Sequence, residues 1–274
     1  MRETTPKVHL IASPTIHWGA LKDYVDSVGG NAWTSRVKML WLDSDLNDGE
    51  LLTEAAGRLC YRSWDVGLNP NVTMVREDSA AYLLNILRVG HGSVLEHANY
   101  SFIFEDVSRV FTHELVRHRA GVAISQESLR YVRLTDIGFR IPEVLEPLRD
   151  DVIRKANHEV ISRGIVSILE ELEEFQVRAA MELDVDNLPM AEKKKVTSAL
   201  RRLAPLGLST SMVWTANIRT LRHVISMRTA KDAEEEIRMV FDQVATIMQE
   251  WAPMLFSDYT KTTDGEWITP YWKV

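Results

Sequence analysis

Apolar and polar positions divide this chain into a few long elements. From Tyr100 to Glu105 the side chains alternate, with Tyr100, Phe102 and Phe104 on one face and Ser101, Ile103 and Glu105 on the other. That is the period of a half-buried strand, although Ile103 interrupts the polar face. Ser108 has the chemistry of a helix N-cap. Val110, Phe111, Leu115 and Val116 then give one apolar face to a helix from Arg109 to about His118, with Arg117 in its last turn.

Helices are also predicted at 48–61 and 78–89, the second closed by Gly90. A strand is predicted at Leu129 to Leu134. The most regular helical stripe is Ile153, Ala156, Val160, Ile161, Ile165, Ile168, Leu172, Phe175 and Ala179, which reads as core or as a subunit interface. Lys193, Lys194 and Lys195 open the next helix as a solvated face, and Pro205 and Gly207 end it. Leu208 to Ala216 reads as a strand that feeds a helix capped by Asn217. A last helix, about Asp232 to Trp251, buries Ile237, Val240, Phe241, Val244 and Met248. Residues 1–46 read as an N-terminal extension of unknown role packed on the main domain, 47–274. Within it lie a strand at Val8 to Ala12, a turn at Gly29-Gly30-Asn31 and an apolar run from Val37 to Leu42. The pattern predicts an α+β fold, a largely antiparallel sheet flanked by helices.

Composition narrows the partners. With 274 residues, 45% of them hydrophobic, the chain can bury one substantial core. A net charge of −7 disfavours an extended nucleic-acid surface, so an Arg-rich RNA-binding module is a weak third reading, but a single local site for a small phosphate is compatible. The N-terminal MRETTPKVHL lacks an apolar signal core, and no run approaches the roughly 20 apolar residues of a membrane helix. A cytoplasmic protein is expected. The 13 glycines are scattered, with no dinucleotide-binding glycine fingerprint after a strand.

Candidate chemistry concentrates at Arg117-His118-Arg119 and the segment to Tyr131. Guanidinium groups are permanently charged planar forks that fit phosphate oxygens, so Arg117, Arg119 and Arg130 together suit a dianion, with Ser125 and Ser128 as neutral donors. The single cysteine, Cys60, follows a helical face of Leu52, Ala55 and Leu59, and reads as a packed or partly buried thiol rather than a nucleophile. No metal is expected. His113 and His118 are five residues apart where one helical face requires four, and arginines neighbour His91, Glu96 and His97.

Three segments resemble the flavin-dependent thymidylate synthase family: His91-Gly92-Ser93-Val94-Leu95-Glu96-His97; Arg117-His118-Arg119 with Ser128, Arg130 and Tyr131; and Trp214 through Arg219 to Arg228. Two departures stand out. Eight residues, Ala120 to Glu127, separate the arginine motif from Ser128 where the family usually has seven, which predicts a bulge at Gly121 to Ile124. Glu114 stands where the family commonly has Gln, and its carboxylate needs a cation, Arg117 or Arg130 being the candidates.

The resemblance implies reductive methylation of dUMP to dTMP, with 5,10-methylenetetrahydrofolate as carbon donor, FAD as hydride carrier and NADPH as its reductant, yielding tetrahydrofolate. It implies FAD contacts at His91, Ser93, Arg117, His118, Arg119, Gln126, Asn217, Arg219 and His223. It implies dUMP contacts at Glu114, Arg117, Gln126, Ser128, Arg130, Arg201 and Arg228, with Arg228 catalytic at the pyrimidine. It also implies a homotetramer holding its flavins between subunits. The alternative is a catalytically inactive flavin- or nucleotide-binding regulatory protein.

Overall fold

The structure, a computed structural model, describes residues 1–43, 45–132, 134–145 and 152–274, with side chains from 157 onward in the last stretch. In chain order the elements are β1 (Arg2–Glu3), β2 (Lys7–Ala12), α1 (Trp18–Ser27), α2 (Asn31–Leu42), α3 (Asp48–Tyr61), α4 (Ser79–Val89), β3 (Asn99–Ser108), α5 (Arg109–Leu115), β4 (Val122–Gln126) and β5 (Gly138–Phe139). Then follow α6 (Val152–Glu182), α7 (Met190–Leu200), β6 (Ser209–Asn217), α8 (Ile218–Arg228), α9 (Glu235–Trp251), α10 (Pro253–Phe256), β7 (Thr260–Lys261) and β8 (Trp267–Ile268).

The central sheet has the order β2-β3-β6-β4, and every neighbouring pair is antiparallel. Tyr100, Phe102 and Phe104 are buried while Ser101, Ile103 and Glu105 are half-buried, as the alternation requires. Helix α9 covers the buried face through Ile237, Val240, Phe241, Val244 and Met248, all fully buried. Phe104 meets Phe111 edge-on with centroids 5.3 Å apart, and Trp214 meets Phe241 edge-on at 5.8 Å. Such pairs add directional stability to the apolar area they bury. Strand β2, from the first 46 residues, pairs with β3, and Val25, Trp33 and Val37 belong to the same core.

Two caps read from the sequence are present here: Gly90 closes α4 at φ 71°, and the Ser108 hydroxyl accepts from Phe111 N at 3.1 Å. A further one, not read from the sequence, is the reciprocal capping box of Asn47 and Glu50 at α3.

Other expectations need correction. Helix α5 ends at Leu115, so Arg117 lies beyond it in a turn. The strand expected at Leu129 to Leu134 lies upstream instead, as β4; Leu129 to Val132 form turns, and Arg133 lies outside the described residues. The expected bulge is absent from β4, whose register runs unbroken from Val122↔Ala216 to Gln126↔Met212. Val122, Ile124 and Gln126 are half-buried and Ala123 and Ser125 exposed, the alternation of a regular edge strand with no residue left over for a bulge.

The α6 stripe is only partly core within this chain: Ile165 and Leu172 pack against a small buried cluster of Leu134, Ile137, Leu169 and Leu208. Val160 is 70% and Ile168 66% exposed, whereas Leu169 and Gln176, outside the stripe, are buried; the side chains of Ile153 and Ala156 lie outside the described residues. Cys60 and Leu59 are exposed, because α3 buries the face carrying Leu51, Ala55 and Arg58. Of the three lysines only Lys195 is exposed, Lys193 and Lys194 being half-buried; Lys194 covers the Tyr131 ring at 5.2 Å.

Glu50 gives a test of this packing. It is 1% exposed and accepts from Asn47 N at 3.2 Å and Met254 N at 2.7 Å. Burial outweighs those bonds and raises its carboxyl from 4.5 to about 7. A raised acid is protonated more readily in the folded state, so its stabilising share is full below pH 4.5 and is lost as pH rises through 7. Urea unfolding should show stability falling by about 3 kcal/mol across that window from this group. Glu50→Gln should remove that component. Identical pH profiles for the variant and the wild type would contradict the assignment.

Candidate functional site

Strand β6 passes into α8 without a loop. Asn217 is the last residue of β6, opposite Asn99, and also the N-cap of α8, its side-chain oxygen accepting from Thr220 N at 2.9 Å. Two neighbouring segments are tied to the junction. Asn217 N donates to Gly121 O at 3.2 Å, and Ile218 N donates to Ala98 O at 3.1 Å. Thr220 Oγ1 adds a bond to Ala120 O at 2.7 Å. Gly121 has φ +69°, and a Cβ there would lie 2.3 Å from Asn217 Nδ2, so only glycine permits this approach.

The result is a cleft of about 550 Å³ lined by Glu96, Arg117, His118, Arg119, Ala120, Gly121, Asn217, Arg219, Thr220, His223 and Val274. It gathers Arg117, His118, Arg119, Asn217, Arg219 and His223 from the expected flavin residues. His91 and Ser93 border it instead. They flank Gly92, whose added Cβ would lie 2.8 Å from Arg219 Nε, on a 3₁₀ turn spanning Gly92–Glu96. The His91 ring packs against the Tyr61 ring at 5.6 Å. Gln126 is not in the cleft; its amide donates to Thr112 Oγ1 at 3.2 Å.

The cations of the cleft are unequally compensated. Arg219 pairs with Glu96 at 2.6 Å, both about half exposed. Among the described residues, neither Arg117 nor Arg119 has a carboxylate within ion-pair distance. Two unpaired guanidiniums with neighbouring amide, hydroxyl and imidazole groups form a donor set suited to a diphosphate. FAD therefore fits the chemistry of the cleft.

Arg228, at the far end of α8, is not among the residues that line the cleft and is joined to it through His118. Its Nε donates to His118 Nε2 at 2.7 Å, Nη1 pairs with Glu114 Oε2 at 2.9 Å, and Nη2 donates to Glu114 O at 3.3 Å. The cation that satisfies Glu114 is thus Arg228, not Arg117 or Arg130. The reason is geometric: Glu114 is in the last turn of α5, which ends beside the turn carrying His118. Burial, then the neighbouring Arg228 charge and His223, lower the His118 imidazole to about 4. Its Nε2 is an acceptor here, so the neutral ring carries its proton on Nδ1.

The remaining nucleotide candidates form a second cluster. Ser128 Oγ accepts from Arg130 N at 3.3 Å, and Arg130 O accepts from Thr197 Oγ1 at 3.0 Å, one helical turn before Arg201. Arg109 joins them, its guanidinium lowered chiefly by burial and partly by the Arg201 charge. This cluster sits beyond the Gln126 end of β4, and the cleft sits at the Gly121 end. Five extended residues separate the two by roughly 17 Å. Glu96, Thr220, Gly121 and Arg109 were absent from the expected site. Thr220 was legible as the third residue of a capped helix, while Val274 had no sequence signal.

The sequence profile of the family described as Thymidylate synthase complementing protein matches residues 42–254. The chain belongs to this family, the flavin-dependent thymidylate synthases. Flavin-dependent thymidylate synthases of Mycobacteroides abscessus and Mycolicibacterium vanbaalenii are 35% and 36% identical to it over 222 and 216 residues. These matches cover 80% and 79% of this chain and 83% and 82% of those proteins. That of Mycobacterium tuberculosis is 36% identical over 220 residues, covering 80% and 83%. In fold, the chain resembles the UMP/dUMP methylase PolB from Streptomyces cacaoi bound with 5-Br UMP. The TM-score is 0.61 at 18% identity, over 94% of this chain and 95% of that one. Among the described residues no helix is long and apolar enough to cross a membrane.

His118 tests the electrostatics of the cleft. With its folded value lowered to about 4, its ring should stay neutral throughout pH 5 to 8, and the folded state should lose stability as pH falls from 6.5 towards 4. NMR titration of the imidazole should find no midpoint above pH 5 for His118. A midpoint near 6.5 would mean that the ring is neither desolvated nor held by Arg228.

Proposed function

We infer that this chain is a flavin-dependent thymidylate synthase that reductively methylates dUMP to dTMP. In this reading 5,10-methylenetetrahydrofolate supplies the carbon, NADPH reduces FAD, and tetrahydrofolate is released. The observation that carries it is the cleft with two unpaired arginines, Arg117 and Arg119, in a chain of this family. Bound FAD would supply the hydride that no side chain can provide.

The chain's own groups divide the remaining work. Arg117 and Arg119 hold the diphosphate, while the Asn217 and Thr220 side chains border it at the start of α8. Ser128, Arg130 and Arg201 hold the dUMP phosphate. Arg228 stabilises negative charge spreading onto the pyrimidine, as a cation fixed in place before the substrate arrives. The neutral His118 cannot compete with Arg228 for that charge, because it accepts one of its hydrogen bonds.

A homotetramer with flavins between subunits is the assembly that the resemblance implies, and Val160, Ile161 and Ile168, exposed on α6, are available for contact. A cytoplasmic location is in keeping with these small-molecule substrates.

Release of tritium from 5-tritiated dUMP, dependent on methylenetetrahydrofolate and NADPH, tests the activity. Binding of FAD and dUMP without release would favour the inactive regulatory protein. Cys60→Ser should keep turnover, because this exposed thiol is not used. Arg130→Ala should weaken dUMP binding by about 1.5 to 3 kcal/mol, the scale of a bond to a charged group, with FAD content near normal. If deoxyuridine binds the wild type as tightly as dUMP, the phosphate assignment is wrong.

A further inference from the structure

Glu96 is the one carboxylate side chain among the described residues that line the cleft. In a site whose arginines suit a diphosphate, a carboxylate repels the ligand, so its presence calls for a separate cause. Fold stability is a weak one. Its partner is Arg219 Nη1, at 2.6 Å, and both side chains are about half exposed, the condition in which an ion pair contributes little.

The pair is arranged to hold Glu96 in place while leaving part of it open. Arg219 is the second residue of α8, and its guanidinium lies so close to Gly92 that a Cβ there would be 2.8 Å from Nε. Glu96 closes the same turn, two residues before Ala98, whose carbonyl accepts from Ile218 N. Arg219 uses only Oε1 of Glu96; Oε2 has no hydrogen-bond partner among the described residues. Other side-chain acceptors of the cleft are engaged, Asn217 Oδ1 with Thr220 N and His118 Nε2 with Arg228 Nε. Glu96 Oε2 is therefore a fixed, free and negatively charged acceptor beside a set of cationic donors. Hydroxyl groups form short, strong bonds to such an atom. Hydroxyls flank the diphosphate of a flavin dinucleotide on both sides, on the ribityl chain and on the ribose. Carboxylates bind ribose hydroxyls beside the pyrophosphate in other dinucleotide sites.

We propose that Glu96 binds the hydroxyls next to the diphosphate, so that the cleft selects a hydroxyl-bearing diphosphate over a bare one. This rests on the reading of the cleft as a flavin site, and it adds a residue to that site. The carboxylate weakens the binding of any diphosphate, and hydroxyl donors reaching Oε2 more than offset that loss.

The experiment measures equilibrium binding of FAD, ADP, riboflavin and inorganic pyrophosphate to the full chain freed of flavin, at fixed salt, for the wild type, Glu96→Ala and Glu96→Gln. Glu96→Ala should weaken FAD about tenfold or more, the fold-change of a hydrogen bond to a charged group. It should tighten pyrophosphate about threefold or more, because a like charge is gone and Arg219 is released. A merely structural Glu96 would move both ligands the same way. Glu96→Gln, which keeps the size and loses the charge, should also tighten pyrophosphate and should retain part of the FAD affinity. Weaker ADP in Glu96→Ala assigns the ribose, and weaker riboflavin assigns the ribityl chain; weakening of neither would overturn the proposal. So would FAD that binds Glu96→Ala as tightly as the wild type, or pyrophosphate weakened together with FAD. If the wild type binds neither FAD nor pyrophosphate, the flavin reading of the cleft falls and this proposal with it. If it binds both and only the opposed shifts are missing, this proposal alone fails.

Discussion

The candidate site depends on the passage from β6 to α8 at Asn217. The backbone changes there from extended, ψ 165°, to helical within one residue, and its side chain satisfies one of the exposed N–H groups that a helix start leaves behind. Because no loop intervenes, the direction of α8 is set by the sheet. The same junction receives Gly121 on one side and Ala98 on the other, so the arginine turn and the Gly92–Glu96 turn are both referenced to it. Arg228, eleven residues along α8, inherits that reference and meets Glu114 and His118. One rigid element thereby sets the distance between the cleft and the arginine proposed for the pyrimidine.

The distribution of charge separates structural cations from ligand-binding ones. Arg58 is fully buried, pairs with Glu54 at 2.7 Å and reaches the carbonyls of Ser63 and Arg76. Arg222 is likewise buried, with Asp258 at 2.7 Å and the carbonyl of Leu255. Each has the partners that burial of a charge demands. Arg117 and Arg119 are exposed and, among the described residues, have no carboxylate within ion-pair distance, which leaves their donors for an anion from outside. Arg228 is intermediate, partly compensated yet with donors to spare, which is the condition expected of a group that must be fixed and still interact with substrate.

Much of the fold was legible where one physical signal dominated. The Tyr100 to Glu105 alternation, the caps at Ser108 and Asn217 and the α9 stripe each depend on local pattern and on one buried face, and the structure agrees with all of them. The segment from Val116 to Leu134 was not legible. Gly121 suggested a loop, yet β4 forms because β6 offers it a free edge, a tertiary cause that no local pattern records. The α6 stripe has the period of a packed helix, but period does not say which molecule packs against it. Similarly, the arginine motif announced anion chemistry, but which cation would meet Glu114 depended on how α5 and α8 are brought together, as the Arg228 pair illustrates.

The central claim is that unpaired arginines in the cleft recognise a diphosphate-bearing flavin. The most direct measurement is the affinity of the protein for FAD and for riboflavin, with the wild type and with Arg117→Ala/Arg119→Ala compared at fixed salt. The wild type should prefer FAD by on the order of 100-fold or more, the scale of two charge-assisted hydrogen bonds, and the double variant should lose most of that preference. Equal affinities for FAD and riboflavin in the wild type would contradict the account.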